Sequence, residues 1–301
     1  MLPRRVGGIT CLALLCALLG GCGSAAKPRP SRPAGSPRLT FAYDAAQPLD
    51  FVNHGRINRR SEPVAADDVS FRSGRQRIEG YLLLPAVRAR RSAVVIVHGS
   101  GGDRRELLEE ARRLARRSVV ALTITEPSMS SPPTRATGGA AAILNQLQAV
   151  QVRDVVAVRR AVDLLGSLPQ VDKRRLGYLG WSAGARTGAF VAAAEPRVKA
   201  LALLSAGAAP IAAYVASAPP SLRPAVRRVL GSIDPLRYIA LARPGRLLLE
   251  DGRKDEIVPH AALLNMIHAA PRGTSVRWYD TPHALDRAAY DDAFDWLARK
   301  L

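Results

Sequence analysis

"RLGYLGWSAGARTGAF", Arg175 to Phe190, sets one serine between two glycines: Gly180-Trp181-Ser182-Ala183-Gly184. An apolar, strand-like run precedes the serine and a row of small residues follows it. Two readings fit the string. Ser and Gly are ordinary turn residues, and G-x-S-x-G arises by chance in unrelated chains. The other reading holds Ser182 up as a nucleophile on a tight strand-to-helix turn. The flanking glycines then let the helix pack close and the turn adopt strained angles. The choice depends on whether the rest of the chain supplies a sheet, a base, an acid and an oxyanion site in a compatible order.

The sheet is legible on both sides of the serine. From Val69, "VSFRS" and "IEGYLLLP" read as two strands joined by a polar turn. "AVVIVHG", "VVALTIT", "RRLGYLGW", "VKALALLS", "GRLLLEDG" and "TSVRWYD" are short apolar runs of the kind expected for buried strands. "RRELLEEARRLARRS" has helical period, with Leu107, Leu108, Ala111, Leu114 and Ala115 on one side. "QVRDVVAVRRAVDLLGSL" is amphipathic, with Val152, Val155, Val156, Ala161, Val162 and Leu165 inward. "AGARTGAFVAAA" and the closing "DDAFDWLARKL" are further helices. This alternation implies an α/β fold: a mostly parallel central sheet flanked by helices on both faces, with the two early strands as an antiparallel edge. A further strand is expected near "LTFAY", in the mixed segment 39–68. Residues 126–149 and 206–243 each follow the carboxyl end of a strand, where open sheets place their ligand sites. The second is expected to form a small helical cap.

The chemistry-bearing residues fall at those same strand ends. "HGSGGD", His98 to Asp103, is a Gly-rich loop that can aim a backbone N–H at a developing oxyanion. "EDGRKDEIVP" contains Asp255, and "YDTPHAL" places His283 between the last strand and the last helix. The order Ser…Asp…His is that of nucleophile-elbow hydrolases. Glu250, Asp251 and Glu256 are rivals for the acid. The first two close an apolar strand, and Glu256 is expected to point away from His283. His98 is expected to support its own loop, His260 and His268 to lie on a helix after Pro259, and His54 to stand alone. No His/Asp/Glu cluster has metal-ligand spacing, so neither a metal nor a cofactor is expected.

Together "VIVHGSGG", "QVRDVVAVRRAVDLLGSLPQVDKRRLGYLGWSAGA", "GRKDEIVP" and "TPHAL" resemble the α/β-hydrolase superfamily, in its dienelactone-hydrolase-like type, over residues 69 to 301. The resemblance implies an α/β-hydrolase fold with Ser182 as nucleophile, Asp255 orienting and His283 as base. It implies oxyanion donors at the Ala183 N–H and in the His98–Gly101 turn, at Ser100. The implied reaction is hydrolysis of a small-molecule or lipid ester. Dienelactone hydrolase itself is similar to enzymes with a Cys nucleophile, whereas Ser stands here, which points to esters and away from the lactone. A peptidase or amidase on the same triad, or a catalytically silent envelope-binding lipoprotein, are the alternatives.

At the N-terminus, Arg4 and Arg5 precede "ITCLALLCALLGG" and Cys22. An apolar run of about 13 residues suits a signal peptide and is short for a spanning helix. "LGGC", Leu19 to Cys22, resembles the lipobox of bacterial lipoproteins, which implies cleavage after residue 21 and lipidation of Cys22. Residues 22–38 then form a lipidated Cys and a Pro/Arg-rich linker, and 39–301 the hydrolase domain. The expected location is the cell envelope, with the membrane as partner through the N-terminal lipid. The cysteines are Cys11, Cys16 and Cys22, so residues beyond 22 contain no disulfide. The formal net charge is +19. It is carried almost wholly by arginines scattered along the chain, with no focused basic block bearing aromatics, which argues against a nucleic-acid partner.

Overall fold

The computed structural model describes residues 39–86, 89–130 and 140–301. The expected leader, Cys22 and the linker lie outside the described residues, as does part of the 126–149 excursion.

Among the described residues nine strands form one sheet. They are β1 (Val52–Arg56), β2 (Val64–Ser73), β3 (Gln76–Pro85), β4 (Arg91–Val97), β5 (Val120–Ile124), β6 (Val171–Trp181), β7 (Val198–Leu204), β8 (Leu247–Gly252) and β9 (Ser275–Tyr279). Their spatial order is β1-β2-β3-β5-β4-β6-β7-β8-β9. The pairings from β1 through β3 to β5 are antiparallel, and those from β5 to β9 are parallel. The early hairpin, β2 and β3, is antiparallel as expected, but β1 lies outside it and forms the edge itself.

The continuous apolar strands follow from burial on both faces. In β4, Ala93, Val95 and Val97 enter one core layer, while Val94 and Ile96 enter the other. The second layer is closed by α1 (Leu108–Arg116), through Ala111, Leu114 and Ala115, and by the C-terminal helix (Arg287–Lys300), through Ala289, Ala293, Phe294 and Leu297. After the short α2 (Pro127–Ser130), the first layer is closed by α3 (Ala140–Ser167) and α4 (Ala183–Ala194). On α3 the buried stripe includes Val155, Val158, Ala161, Val162 and Leu165, whereas Val152 and Val156 are only half-buried.

Residues 206–243 fold into α5 (Ile211–Ser217), α6 (Arg223–Ser232) and α7 (Pro235–Ile239). Asp234 caps α7 by accepting the Leu236 N–H at 3.0 Å, with Pro235 at the first helical position. Packed on α4, α7 buries Tyr238 and Ile239. The chain then runs through α8 (His260–Ala269) to the C-terminal helix, α9.

The expected strand near "LTFAY" is not one. That segment is held by side chains instead of a ladder. Phe41 meets Phe190 and Tyr238 edge-on at ring separations of 5.9 and 5.6 Å. The Tyr43 hydroxyl donates to Asp163 at 2.9 Å, accepts from Arg197 at 3.2 Å, and its ring lies 4.6 Å beneath the Arg159 guanidinium. Arg160, 1% exposed, donates to the Gln47 and Arg72 carbonyls and pairs with Asp163. The first strand comes later, at β1, where all five residues are exposed and backbone pairing to β2 does the holding.

Candidate active site

Ser182 follows the last residue of β6 and precedes α4. Its backbone takes φ 54° and ψ −110°, a strained state for a side-chain-bearing residue that costs on the order of 1–3 kcal/mol. The surroundings over-determine it. The Ser182 N–H donates to the Leu204 carbonyl at 2.8 Å, and the Gly184 N–H donates to the His98 carbonyl at 3.0 Å. From beneath, the Tyr178 hydroxyl donates to the Gly184 carbonyl at 2.6 Å. The glycines are sterically required: a Cβ on Gly180 would lie 2.5 Å from Gly184 backbone atoms, and one on Gly184 would collide with the Val97 carbonyl.

His283, from the loop after β9, brings Nε2 to 2.9 Å from the Ser182 hydroxyl. Its Nδ1 lies 2.8 Å from Asp255 Oδ2. A carboxylate can only accept, so Nδ1 carries the proton and the Nε2 lone pair faces the serine. The other Asp255 oxygen accepts the N–H groups of Ile257 at 2.9 Å and Val258 at 2.8 Å, which fixes the carboxylate plane. Its side chain is 1% exposed. The His283 carbonyl accepts from the Ser205 hydroxyl at 3.0 Å and the Trp181 indole at 3.2 Å.

The loop after β4 lies against this elbow through the Gly184–His98 bond. His98 is buried and its ring is fully used. Nε2 accepts the Glu126 N–H at 3.1 Å, so Nδ1 holds the proton and donates to the Gly99 carbonyl at 2.7 Å. Burial lowers its pKa and favours this neutral form. The Gly99 N–H is taken by Glu106, that of Gly101 by the Met129 sulfur and that of Gly102 by the Gly99 carbonyl. These bonds leave the exposed Ser100 as the candidate donor in that turn. Ala183 opens α4 on the other side of the bond that ties the two loops together.

The rival carboxyls have other roles. Glu250 is buried against the Tyr279 hydroxyl at 3.1 Å and Arg277 at 3.3 Å, and burial pushes its carboxyl up to about 8. Asp251 is buried too, and burial, with the Asp255 charge adding, pushes it up to about 7. Glu256 does not point away as expected. Its Oε2 accepts the backbone N–H of His283 at 3.3 Å. The loop doubles back after Asp255, so consecutive carboxylates grip ring and backbone of one histidine. His54 bonds Ser70 at 2.8 Å, and His260 and His268 are exposed on α8. Arg104 pairs with Asp68.

The residue-level reading missed a buried acid pair beside the elbow. Glu126, 2% exposed, lies two residues past β5 and accepts from the Thr187 hydroxyl of α4. Asp154 on α3 accepts the Ser128 N–H at 3.0 Å. Burial raises both carboxyls, and for Asp154 the neighbouring Glu126 adds to the rise. In sequence each reads as a surface charge. Among the described residues no three His, Cys, Asp or Glu side chains are grouped to hold a metal ion.

No protein-family model matches the sequence, and no curated protein matches it. Solved structures do match in shape. Acetyl xylan esterase 1 from Thermoanaerobacterium sp. superposes with a TM-score of 0.69 at 16% identity, over 83% of this chain and 88% of the other. An acetyl xylan esterase from Paenibacillus sp. R4 gives 0.69 at 18% identity, over 85% and 90%. Dienelactone hydrolase from Anabaena variabilis gives 0.54 at 20% identity, over 80% of this chain and all of the other (100%). At such identities the likeness is one of fold.

Proposed function

We propose, from the α/β-hydrolase fold of this chain, that it is a serine hydrolase cleaving carboxylic esters through an acyl-enzyme. The observation that carries the reading is the relay from the Ser182 hydroxyl through His283 to Asp255, at 2.9 and 2.8 Å, on a strained elbow.

In this mechanism the Ser182 oxygen attacks the ester carbonyl while His283 Nε2 takes its proton. The N–H groups of Ala183 and Ser100 receive the tetrahedral oxyanion; each donor in comparable sites is worth about 3 kcal/mol. The C–O bond to the alcohol then breaks, and the imidazolium returns its proton to the departing oxygen. Water, deprotonated by the same nitrogen, attacks the acyl-serine; the bond from the acyl carbon to Ser182 Oγ breaks, the imidazolium returns its proton to that oxygen, and the acid is released. Asp255 holds the tautomer throughout and stabilises the imidazolium. Strain at Ser182 keeps the hydroxyl aimed before substrate arrives.

The test is labelling by a fluorophosphonate probe together with turnover of p-nitrophenyl esters. Covalent adduct at Ser182 and ester hydrolysis are expected; neither occurring overturns the reading.

For the N-terminal segment, the "LGGC" string supports a lipid on Cys22 and an envelope location. The basic linker adds attraction to anionic headgroups.

A further inference from the structure

A cleft of about 790 Å³ opens beside the loop that follows β4. Gly101 and Gly102 of that loop form one wall, and Tyr81 of β3 and Thr125 just past β5 lie opposite. In the sheet order, β5 and β3 flank β4 on one side and β6 on the other. The cleft therefore sits across the candidate oxyanion loop from Ser182 and shares that loop with the candidate active site. From β6 the cleft floor is two to three strands away, roughly 10–15 Å at ~4.8 Å per strand.

Four arginines line the cleft against two acids, Glu79 and Asp103. They are not equivalent. Arg104 forks onto Asp68 at 2.6 and 3.1 Å and lies 4.5 Å over the Tyr81 ring, which makes it part of the wall. Arg105 is taken up by Asp103, at 2.9 Å. Arg77 donates to the Asp50 backbone carbonyl at 3.0 Å, a neutral acceptor, and forms no ion pair among the described residues; Glu79, two residues on, reaches Arg104 at 3.6 Å. Arg75, on the exposed turn between β2 and β3, has no carboxylate partner among the described residues. Two planar forks without an ion pair among the described residues thus line one cleft, and such forks match carboxylate geometry.

We infer that this cleft is a subsite for a carboxylate carried by the substrate, bound by Arg75 and Arg77 while the ester lies at Ser182. The inference rests on the ester-hydrolase reading and deepens it. The substrate class is an ester whose acyl or alcohol part ends in a carboxylate roughly 10 Å from the reacting carbonyl, the long arginine side chains reaching over the remainder of the ~10–15 Å to β3. Short acyl groups do not span that distance, so charge discrimination appears only in longer esters.

The experiment compares p-nitrophenyl octanoate with the p-nitrophenyl monoester of suberate, which has the same eight-carbon chain but ends in a carboxylate. For the full chain at low salt, kcat/KM is expected to favour the suberate monoester roughly fivefold, the scale of two partly exposed ion pairs. Added salt should shrink the ratio. In Arg75→Gln/Arg77→Gln the ratio should fall to about one; Arg75→Gln alone, on the exposed turn, should lower it partway and serves if the double variant does not fold. A wild-type ratio near one, or a ratio unchanged in the variants, overturns the subsite. If neither ester turns over and Ser182 takes no fluorophosphonate, the ester-hydrolase reading is what fails. Calorimetric titration with suberate then decides the cleft by itself: severalfold weaker binding in the variants is expected, and equal binding refutes it.

Discussion

The Glu256 carboxylate holds the backbone N–H of His283 at 3.3 Å, while its neighbour Asp255 holds the ring of that residue at 2.8 Å. One short loop therefore fixes both the position and the tautomer of the histidine. Glu256→Ala should lower kcat about fivefold with little change in KM, since a hydrogen bond of this kind contributes about 1 kcal/mol. Glu256→Gln keeps an acceptor oxygen and should stay near wild type. Steady-state kinetics on a p-nitrophenyl ester checks both; a strong loss in the glutamine variant would show that the charge matters more than the bond.

Asp255→Asn should cut kcat by about 10⁴, the scale of the corresponding change in serine proteases. Both carboxylate oxygens are in use, one for His283 and the other for the Ile257 and Val258 N–H groups. An amide has a single acceptor oxygen. If that oxygen stays with the loop, the NH₂ faces Nδ1 and forces the wrong tautomer. Asp251→Asn, which touches neither partner, should retain most activity, and the reverse ranking would remove Asp255 from the acid's place.

At Ser182, activity and stability pull in opposite directions. Ser182→Ala should lose on the order of 10³-fold or more in kcat. Ser182→Gly should be equally inactive yet melt a few degrees higher than Ser182→Ala. The positive φ of 54° strains any side chain, and relief of about 1 kcal/mol moves the melting point by ~2–4 °C in a chain of this size. Scanning calorimetry of the two variants decides it; equal melting points would mean the elbow stores no strain.

Burial of Glu250 and Asp251 sets a pH trend. Their folded values, about 8 and about 7, lie above the ordinary values of 4.5 and 3.8. Between those limits the folded state holds more protons at these two groups than the unfolded state, so their contribution to stability is full in acid and is lost as pH rises toward 8. Glu250→Gln should therefore flatten the fall in melting temperature from pH 5 to pH 8. An unchanged slope in that variant would exclude Glu250 as a source.

The proposed lipid on Cys22 gives a further test: the full chain should partition into detergent, and Cys22→Ala should abolish that partitioning. Mass spectrometry of the mature N-terminus supplies the check, and a start elsewhere without lipid would refute the anchor.

What the sequence revealed and what it hid have physical reasons. Strands β4 to β8 announce themselves because each carries a short, mostly apolar stretch buried on both faces, such as Ala93–Val97, Leu176–Gly180 and Leu247–Leu249. Ser182, Asp255 and His283 fall at strand ends, where turn residues mark them, and the structure brings the three within hydrogen-bond reach. β1 is illegible because all five of its residues are exposed, so no alternation exists to read. "LTFAY" looks like a strand for the opposite reason: its aromatics have packing partners, Phe41 buried against α4 and α7 and Tyr43 half-buried against Asp163, Arg159 and Arg197, but they are side chains and not a ladder. Arg160, lying inside an amphipathic helix, reads as solvent-facing until the carbonyls it serves are known. The reach of Glu256 back to His283 depends on a loop reversal that periodicity does not encode.

The arginines around Tyr43 have a mechanical consequence. Tension entering from the N-terminal side meets the Leu39 N–H on the Tyr238 hydroxyl first, then the Tyr43 site, and only afterwards β1. Without those grips a pull would unzip β1 from β2 one bond at a time, starting at an edge that buries no side chain. With them the load passes into α3 through Arg159, Arg160 and Asp163, and into the segment between α4 and β7 through Arg197. The sheet edge at β1 is thereby kept slack.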